Sequence, residues 1–424
     1  MCRTASHGLS PTCVVPHDAR PDAVNSVLAD LADEVLAVAD SPEHVGRRAL
    51  WRSLHELHPP RALVSYAMYA HVWEREIADP ALFVHSAGLE RAIETQLRAR
   101  LWKARHIPDD EPLLPTVWLG MPRPPRDDRL WGVPLRSART DPRGAYKPFP
   151  PIRRQADIAR LHAPIYEEVP GAGRHLICAG TELVGGKLPV KLHTDEIHYG
   201  PFEWAVRMRG MDNLLLDVVD RPEMVHELMG FVTDGMVAYH REREAAGAVD
   251  SEASWGFHMC WDDPHEGPGM PATGRRLADC WAYVHAQSAA SLSPAMYEQY
   301  IQPYNERIAS LFGRIYYHGC EDLSRKCRII GRLPGLRLFH VGPWTPVEPV
   351  VECFGDSVAL EVHSHPTNVL FAWTAEEVRG DLARRHAAAG DAPHVLKLCD
   401  IETVGDDADR LRVWTEAARE VAAS

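Results

Sequence analysis

Histidine and cysteine residues recur where the predicted strands in the last quarter of the chain end. These residues are His318-Gly319-Cys320-Glu321, His340, His363-Ser364-His365 and Cys399-Asp400. Residues i and i+2 of an extended segment point to the same side, so His318 and Cys320 can reach one metal ion. The carboxyl ends of parallel strands converge on one face, where Cys399 can join them. One imidazole and two thiolates suit Zn²⁺, and three protein ligands leave its fourth position for a substrate.

The third ligand has rivals in this reading. Cys327 and Cys353 also lie in this region, but both fall on predicted helices, whose residues do not usually point into a strand-end site. Taken singly, each proposed ligand also fits an ordinary core residue, because a free cysteine behaves as a small buried hydrophobe. The joint pattern favours a metal site, since core packing would place Val, Ile or Leu at these strand ends.

Further polar residues flank the proposed ligands. A carboxylate that follows a ligand can accept the second N–H of a metal-bound histidine, and an i, i+2 pair after another strand can orient a substrate. The candidates for catalytic positions on these grounds are Glu321, His285, Gln287 and Asp400. The candidates for lining a cofactor pocket or supplying a fourth ligand are His340, His363 and His365. The candidates for pocket walls, which also fit a core, are Trp255, His258 and Trp261.

The elements that must position these residues alternate between strand and helix patterns from about residue 174 onwards. The strand patterns cover 114–119, 189–193, 253–260, 280–285, 315–317, 336–341, 358–362 and 395–398. Helix patterns lie between them, for example over 222–247 and 375–388. Such alternation is typical of parallel βαβ units, and this number of strands favours a closed barrel. We therefore predict an α/β protein with a (β/α)8 TIM-type barrel and a helical N-terminal extension.

The chain divides into three predicted segments. Residues 1–20 contain prolines and histidines without periodicity, which predicts a disordered N-terminus. Residues 21–110 follow a helical pattern, which predicts an extension packed on the barrel. Residues 111–424 form the predicted barrel, although prolines are dense between 107 and 152 and disfavour regular structure there outside 114–119.

Composition excludes several classes of partner. The chain has 424 residues, and its formal net charge of -13 argues against nucleic acid or an anionic membrane as the main partner. No apolar run approaches the roughly 20 residues that cross a bilayer, and the N-terminus lacks an apolar signal segment. The nine cysteines are scattered and odd in number, which is not typical of a disulfide framework. We expect a cytoplasmic protein with a small-molecule substrate and with a homodimer as one candidate assembly.

Several segments carry a family resemblance. The segments are Tyr317-His318-Gly319-Cys320-Glu321-Asp322-Leu323, Pro343-Trp344 and Leu396-Lys397-Leu398-Cys399-Asp400-Ile401-Glu402-Thr403, with weaker matches at 101–110, 216–223 and 293–297. Together they resemble the uroporphyrinogen decarboxylase superfamily over residues 90–420. The His-x-Cys pair with a distant Cys is most similar to its zinc-dependent corrinoid methyltransferase branch.

The resemblance implies a (β/α)8 barrel that binds Zn²⁺ through His318, Cys320 and Cys399. In such enzymes the open zinc position takes up a thiol substrate, and zinc holds it as a thiolate at neutral pH. The thiolate then attacks the methyl group of a methyl-corrinoid such as methylcobalamin. The resemblance therefore implies a methyltransferase that moves a methyl group between a corrinoid and a thiol, or a methylated form of it.

Two departures from the family pattern limit this interpretation. The Arg-rich N-terminal motif of the true decarboxylases is not found, which counts against haem biosynthesis. The corrinoid-binding motif Asp-x-His-x-x-Gly is also not found, because Asp195-Glu196-Ile197-His198-Tyr199-Gly200 has the wrong spacing. A corrinoid would then come from a separate protein or bind free. The alternatives are a decarboxylase-like lyase acting on a small metabolite and a non-catalytic metal- or corrinoid-binding accessory protein.

Overall fold

The computed structural model describes residues 23–124, 130–139, 146–197, 200–249, 275–405 and 407–424. Its helices are α1 (Ala23–Ala39), α2 (Pro42–His55), α3 (Ala70–Glu76), α4 (Gly88–His106), α5 (Ala172–Leu183), α6 (Pro201–Arg209), α7 (Met211–Asp220), α8 (Pro222–Ala245), α9 (Pro294–Tyr300), α10 (Gln302–Ala309), α11 (Cys327–Ile330), α12 (Val347–Phe354), α13 (Ala375–Ala389) and α14 (Asp409–Ala422). Its strands are β1 (Leu63–Met68), β2 (Val117–Gly120), β3 (Arg136–Arg139), β4 (Tyr146–Phe149), β5 (Val190–His193), β6 (Trp281–His285), β7 (Arg314–His318), β8 (Leu336–Val341), β9 (Ala359–His363) and β10 (His394–Ile401). The predictions for residues 1–20, for a strand at 253–260 and for Trp255, His258 and Trp261 lie outside the described residues.

Helix boundaries follow local signals in the sequence. Ser293 caps α9 by accepting a hydrogen bond from the backbone N–H of Met296. Thr374 and Glu377 form a reciprocal capping box at the start of α13. The same helix ends at Gly390, whose φ of 53° lies in the left-handed region that favours glycine. These signals fix the lengths of the helices that connect the strands of the sheet.

Six parallel strands form the central sheet, in the order β1-β10-β9-β8-β7-β6. Each connection from β6 to β10 moves the chain to the next strand in the same direction. Because parallel crossovers are almost always right-handed, such a sequence of strands carries its connecting helices on one face. On that outer face, residues such as Val284, Tyr317 and Leu396 belong to the large core shared with the helices. The chain is thus an α/β protein built around a parallel sheet.

The inner face of the sheet is apolar near the beginnings of the strands. A separate cluster of buried side chains joins Leu63, Trp281, Tyr316, Leu338, Ala359 and Val395 to Trp51 and Leu54 of α2. Helix α2 therefore covers this end of the inner face and excludes water from it. Two residues further along each strand, the inner face becomes polar. Side chains alternate between the two faces of a strand, so residues two positions apart lie on the same face.

Strands β2 and β5 form a second, two-stranded parallel sheet. They share a separate apolar core with α1, α4 and α5, which includes Leu31, Leu97 and Val190. Among the described residues no ladder joins this pair to β1 or β6, so the predicted closure into an eight-stranded barrel is not confirmed. What the structure does have is an open six-stranded sheet whose first strand, β1, pairs with its last, β10.

The segment 21–110 was predicted to be helical, but it also contains a strand. Strand β1 (Leu63–Met68) lies within it and pairs in parallel with β10, so this segment contributes to the central sheet. A short apolar run such as Leu-Val-Ser-Tyr-Ala-Met cannot be assigned from periodicity alone, and a neighbouring strand decides its conformation. The proline-dense segment likewise contains the antiparallel hairpin of β3 and β4, which has no apolar alternation to predict it. None of the described helices is long and apolar enough to cross a membrane.

His55, buried in the apolar layer of the inner face, should make the stability of the folded protein depend on pH. Its ring lies 4.8 Å from the Trp281 ring, and burial, with Arg314 and Arg337 nearby, lowers the pKa of His55 to about 3. The folded protein keeps this imidazole neutral, whereas the unfolded chain takes up a proton below its ordinary pKa of about 6.5. Stability should therefore fall as pH drops from 6.5 towards 3, with this residue contributing a loss of about 2 kcal/mol between pH 7 and pH 5.

The comparison of two substitutions checks this expectation. His55→Gln should flatten the dependence of urea unfolding on pH in this window, while His58→Gln, at an exposed position nearby, should leave it unchanged. Equal pH dependence in wild type and His55→Gln would contradict the assignment.

Candidate metal centre

Five neighbouring strands present histidine or cysteine on the inner face at their carboxyl ends. The residues are His285 on β6, His318 on β7, His340 on β8, His363 on β9 and Cys399 on β10. The register of the sheet brings them together, because His285 stands beside His318 and Lys397 beside His363. Their rings also touch: the His340 ring stacks on that of His318 at 4.1 Å between centroids and meets the His363 ring edge-on at 4.1 Å. These strand ends therefore lie side by side at one edge of the sheet.

His318 and Cys320 form the first half of the centre. The Nε2 atom of His318 lies 3.9 Å from Cys320 Sγ, and its Nδ1 atom lies 3.0 Å from the hydroxyl of Tyr283. Tetrahedral zinc, with bonds near 2.3 Å to sulfur and near 2.0 Å to nitrogen, holds two such donors roughly 3.6 Å apart. The Tyr283 hydroxyl also contacts His285 Nδ1 at 2.9 Å. A hydrogen bond at one ring nitrogen leaves the other to face Cys320, which is the arrangement that a metal ligand requires.

His363 and Cys399 form the second half. The Nδ1 atom of His363 lies 3.1 Å from Cys399 Sγ, while its Nε2 atom donates to Glu361 Oε1 at 2.7 Å. Glu361 also accepts hydrogen bonds from the Tyr316 hydroxyl and, at 2.8 Å, from Lys397 Nζ. Burial would raise the pKa of Glu361, but Lys397 and the hydrogen bond from His363 outweigh it and hold this pKa well below its usual range. Glu361 is therefore an anion that orients His363.

The nitrogen and sulfur atoms of the two halves do not form one compact set of ligand atoms. Among the described residues, the one set of three potential ligands whose donor atoms all lie within 4.8 Å of one another is His340, Glu361 and His363. That set is better explained as a hydrogen-bond network, because Glu361 already accepts from three donors and one of them, Lys397, is a cation. The predicted set of His318, Cys320 and Cys399 is less compact, because its three donor atoms do not all lie within 4.8 Å of one another.

The two thiols are suited to a cation. Burial, together with the nearby carboxylates of Asp400 and Glu321, raises the pKa of Cys320 to about 12. Burial likewise raises the pKa of Cys399 well above its usual range, again with Asp400 as the next cause. Without a cation both thiols stay protonated at neutral pH. A bound Zn²⁺ would offset the loss of hydration and the nearby carboxylates, so the donor chemistry fits this metal.

Glu321 and Asp400 lie beside the proposed ligands, in different ways. The carboxylate oxygens of Glu321 are buried and accept no hydrogen bond from any other residue that the structure describes, and burial raises the pKa of Glu321 to about 7. The carboxylate lies over Gly319, where a Cβ atom would be 2.6 Å from Glu321 Oε2. Asp400 is exposed and has a φ of 58°, a strained conformation for a residue with a side chain. The hydrogen-bond partner of His318 Nδ1 is the Tyr283 hydroxyl, which takes the place that either carboxylate was expected to fill.

The remaining predicted residues lie at or near the same edge. His340 is buried and donates from Nδ1 to the carbonyl oxygen of Gly319 at 2.8 Å. His365 is half-buried, and its ring lies edge-on to the exposed ring of Trp344 at 4.8 Å. Gln287 is exposed in the turn after β6, whereas His285, two residues earlier, is buried. The spacing of His285 and Gln287 had suggested a shared environment, but the two side chains differ in exposure.

The two cysteines that rivalled Cys399, Cys327 and Cys353, make other contacts. The sulfur of Cys327 donates to the carbonyl oxygen of Ser324 at 3.0 Å, and Cys353 hydrogen-bonds with Cys327 between α11 and α12. Both rivals for the third ligand position are thus engaged on the helical side of the sheet. Cys280, like these two, is a free cysteine, whereas Cys178 is disulfide-bonded, which the scattered cysteines had not indicated.

Sequence reasoning missed the residues that orient the donors. They are Tyr283, Tyr316, Glu361 and Lys397. Each stands two positions before a donor on the same strand, as Glu361 stands before His363. Alternation along each strand could have found them, because a polar residue at i−2 shares the inner face with the donor. A buried lysine and a buried glutamate in neighbouring strands, Lys397 and Glu361, are the strongest such signal.

Comparison with known proteins supports the fold. No family model matches the sequence, and no curated protein matches it either. Among solved structures, the fold is similar to that of a methyltransferase from Methanosarcina mazei, with a TM-score of 0.50 and 12% sequence identity. The match covers 88% of this chain and 97% of the other chain. At this identity the likeness shows a shared fold over most of both chains.

Gly200 allows the position of β6 to be tested. A Cβ atom built on Gly200 would lie 1.9 Å from the carbonyl oxygen of His285, the last residue of β6. Gly200→Ala should therefore push the backbone away from this strand end and lower the free energy of unfolding by about 3 kcal/mol. Gly230→Ala, within α8, is the matched control, because nothing lies within 4 Å of its Cβ. That control should raise stability by up to about 1 kcal/mol. Equal effects of the two substitutions in chemical unfolding would contradict the close approach.

Proposed function

We propose that this protein is a zinc-dependent methyltransferase that moves a methyl group between a corrinoid and a thiol-type small molecule. The observation that carries the proposal is the pair formed by His318 Nε2 and Cys320 Sγ, which lie 3.9 Å apart. Cys399, near the end of β10, would complete the ligand set, and β10 is the third strand from β7 in the sheet. The likeness to a solved methyltransferase agrees with methyl transfer. The zinc is our inference from the donor chemistry, and the corrinoid and the thiol are what the family resemblance of the sequence implies.

The protein residues would prepare a soft nucleophile. Bound zinc supplies the positive charge that keeps a substrate thiol deprotonated at neutral pH. His318 is held by Tyr283 with one nitrogen towards Cys320, and Glu361 holds His363 towards Cys399. His318, His363 and Cys399 are buried and Cys320 is partly buried, which limits the access of water to a nucleophile that would otherwise be hydrated. A corrinoid would supply the methyl group for transfer to the substrate sulfur, and these residues would hold the zinc that keeps this sulfur nucleophilic.

Thiolate ligands fit this chemistry better than an all-histidine site. Two thiolates donate more charge to zinc than imidazoles do, so the metal is a weaker electrophile. A metal of this kind suits activation of a soft sulfur nucleophile more than polarisation of a carbonyl group. This argument favours methyl transfer over the decarboxylase-like alternative.

We also propose that the chain is a closed (β/α)8 barrel of the uroporphyrinogen decarboxylase superfamily. Support comes from the order of the six strands and from the pairing of β1 with β10, because a barrel requires its first strand to lie beside its last. In such barrels, catalytic residues stand at the carboxyl ends of several strands, as the histidines and Cys399 do here.

An exposed aromatic rim beside the donors agrees with a corrinoid partner. Trp344, in the loop after β8, is 62% exposed, and the His365 ring packs against it. Phe371, which follows β9, is 50% exposed. Large apolar side chains exposed in the segments that follow such strands are typical of a surface that binds another molecule. A flat corrinoid, free or carried by a separate protein, is the partner that the proposed reaction requires.

Metal analysis tests the zinc proposal directly. Protein purified without chelator should contain about one zinc ion per chain by elemental analysis, since one set of donors is present. Cys320→Ala should lose it, because it removes a ligand, whereas Cys353→Ala should keep it, because that thiol lies on α12. A metal-free wild type would favour the lyase alternative. Zinc held by four protein ligands that no thiol can reach would favour the accessory-protein alternative.

A spectral assay tests the methyl transfer. Zinc-loaded protein incubated with methylcobalamin and a panel of thiols should bleach the methylcobalamin spectrum, with one thioether formed per cobalamin demethylated. We expect Cys320→Ala to reduce the rate at least about 100-fold, since the substrate thiol would stay protonated. The Cys353→Ala variant serves as the control with unchanged rate. No spectral change with any thiol would contradict the proposed reaction.

A further inference from the structure

The Glu361 carboxylate is the most heavily hydrogen-bonded group near the centre. It is completely buried on β9, and its three donors come from three different strands. They are the Tyr316 hydroxyl and His363 Nε2 at Oε1, and Lys397 Nζ at Oε2. Burying a carboxylate and an ammonium group costs several kcal/mol each, unless good geometry and further hydrogen bonds offset it. Such an arrangement needs a reason beyond packing, because an apolar pair would fill the space without this cost.

The consequence of the network is a fixed orientation and tautomer of His363. Its Nε2 atom carries the proton that Glu361 accepts at 2.7 Å, so its Nδ1 atom keeps a free lone pair in the neutral ring. That lone pair faces Cys399 Sγ at 3.1 Å. A histidine whose other nitrogen donates to a carboxylate is the usual arrangement of a zinc ligand with its supporting shell.

We propose that His363 Nδ1 is a fourth protein ligand of the metal in the substrate-free protein, with Glu361 as the residue that positions it. This inference rests on the proposed zinc site. The centre would then consist of two pairs, each with one nitrogen and one sulfur: His318 with Cys320, and His363 with Cys399. The first pair lies at the end of β7 and the second at the ends of β9 and β10, and one zinc ion would be coordinated by both pairs.

His340 is a poorer candidate for this position. Its Nδ1 atom donates to the Gly319 carbonyl oxygen at 2.8 Å, which fixes its ring parallel to the His318 ring, at 10° between planes. Each sulfur contacts a different histidine: Cys320 Sγ lies 3.9 Å from His318 Nε2, and Cys399 Sγ lies 3.1 Å from His363 Nδ1. The Nδ1 atom of His340 is therefore engaged with the backbone, whereas the Nδ1 atom of His363 lies next to a sulfur.

X-ray absorption at the zinc edge tests the ligand set without any assay of activity. Wild-type protein loaded with zinc alone should give two sulfur and two nitrogen neighbours. His363→Ala should give two sulfur neighbours, one nitrogen and one oxygen from water, with zinc affinity lowered roughly 10- to 100-fold in competition with a chelator. Glu361→Gln should keep the ligand set and lower the affinity roughly 10-fold. His386→Ala, on α13 away from the strand ends, should match the wild type.

The outcomes separate this inference from the proposed function. A wild-type spectrum with two sulfur neighbours and one nitrogen would overturn the role of His363 and leave the zinc site intact. Unchanged zinc affinity in His363→Ala would overturn it as well. A wild type that binds no zinc would overturn both proposals. The wild-type spectrum needs no substitution, so the test stands even if a variant does not fold.

Discussion

Parallel pairing of five neighbouring strands in a fixed register is the constraint on which the rest of the structure depends. Alternation along each strand puts every second side chain on the inner face, and the register aligns them across strands. Tyr283 and His285, Glu361 and His363, and Lys397 and Cys399 are then pairs on single strands, with each donor two residues beyond a polar partner. A shift of one residue would turn these side chains towards the helices.

The inner face changes character along the strands. Near the strand beginnings it is apolar and sealed by α2, with Trp51 packed against the sheet. One step along, it carries Glu361 and Lys397, which are buried, charged and paired at 2.8 Å. The last step carries the histidines and cysteines. Buried charges of this kind are costly, and they are expected where a fold gives up stability to hold functional groups in place.

The sequence predicted the parts of the structure that follow from local pattern. Strands β6 to β10, the helices between them and the shared edge of His318, His340, His363 and Cys399 all follow from alternation and from caps such as Ser293. Strand β1 was missed, because its six residues acquire their conformation from pairing with β10. The hairpin of β3 and β4 was missed because its strands are exposed and lack apolar alternation.

The arrangement within the centre could be predicted less well, since side-chain contacts depend on packing across strands. The sequence offered Glu321 and Asp400 as partners of the histidines, but Tyr283 and Glu361 hold that position. Sequence separation gives no information on which of several histidines approaches a given sulfur. That choice follows from register and rotamers, and it brings His363 to Cys399.

The reaction proposed for this protein depends on one zinc ion that is bound by His318 and Cys320 after β7 and by Cys399 on β10. Anomalous diffraction from crystals grown with zinc, measured on both sides of the zinc absorption edge, tests it most directly. The account predicts a single strong peak within bonding distance of His318 Nε2, Cys320 Sγ and Cys399 Sγ. A peak between His340 and Glu361 that is distant from both sulfurs, or no peak near these strand ends, would contradict it.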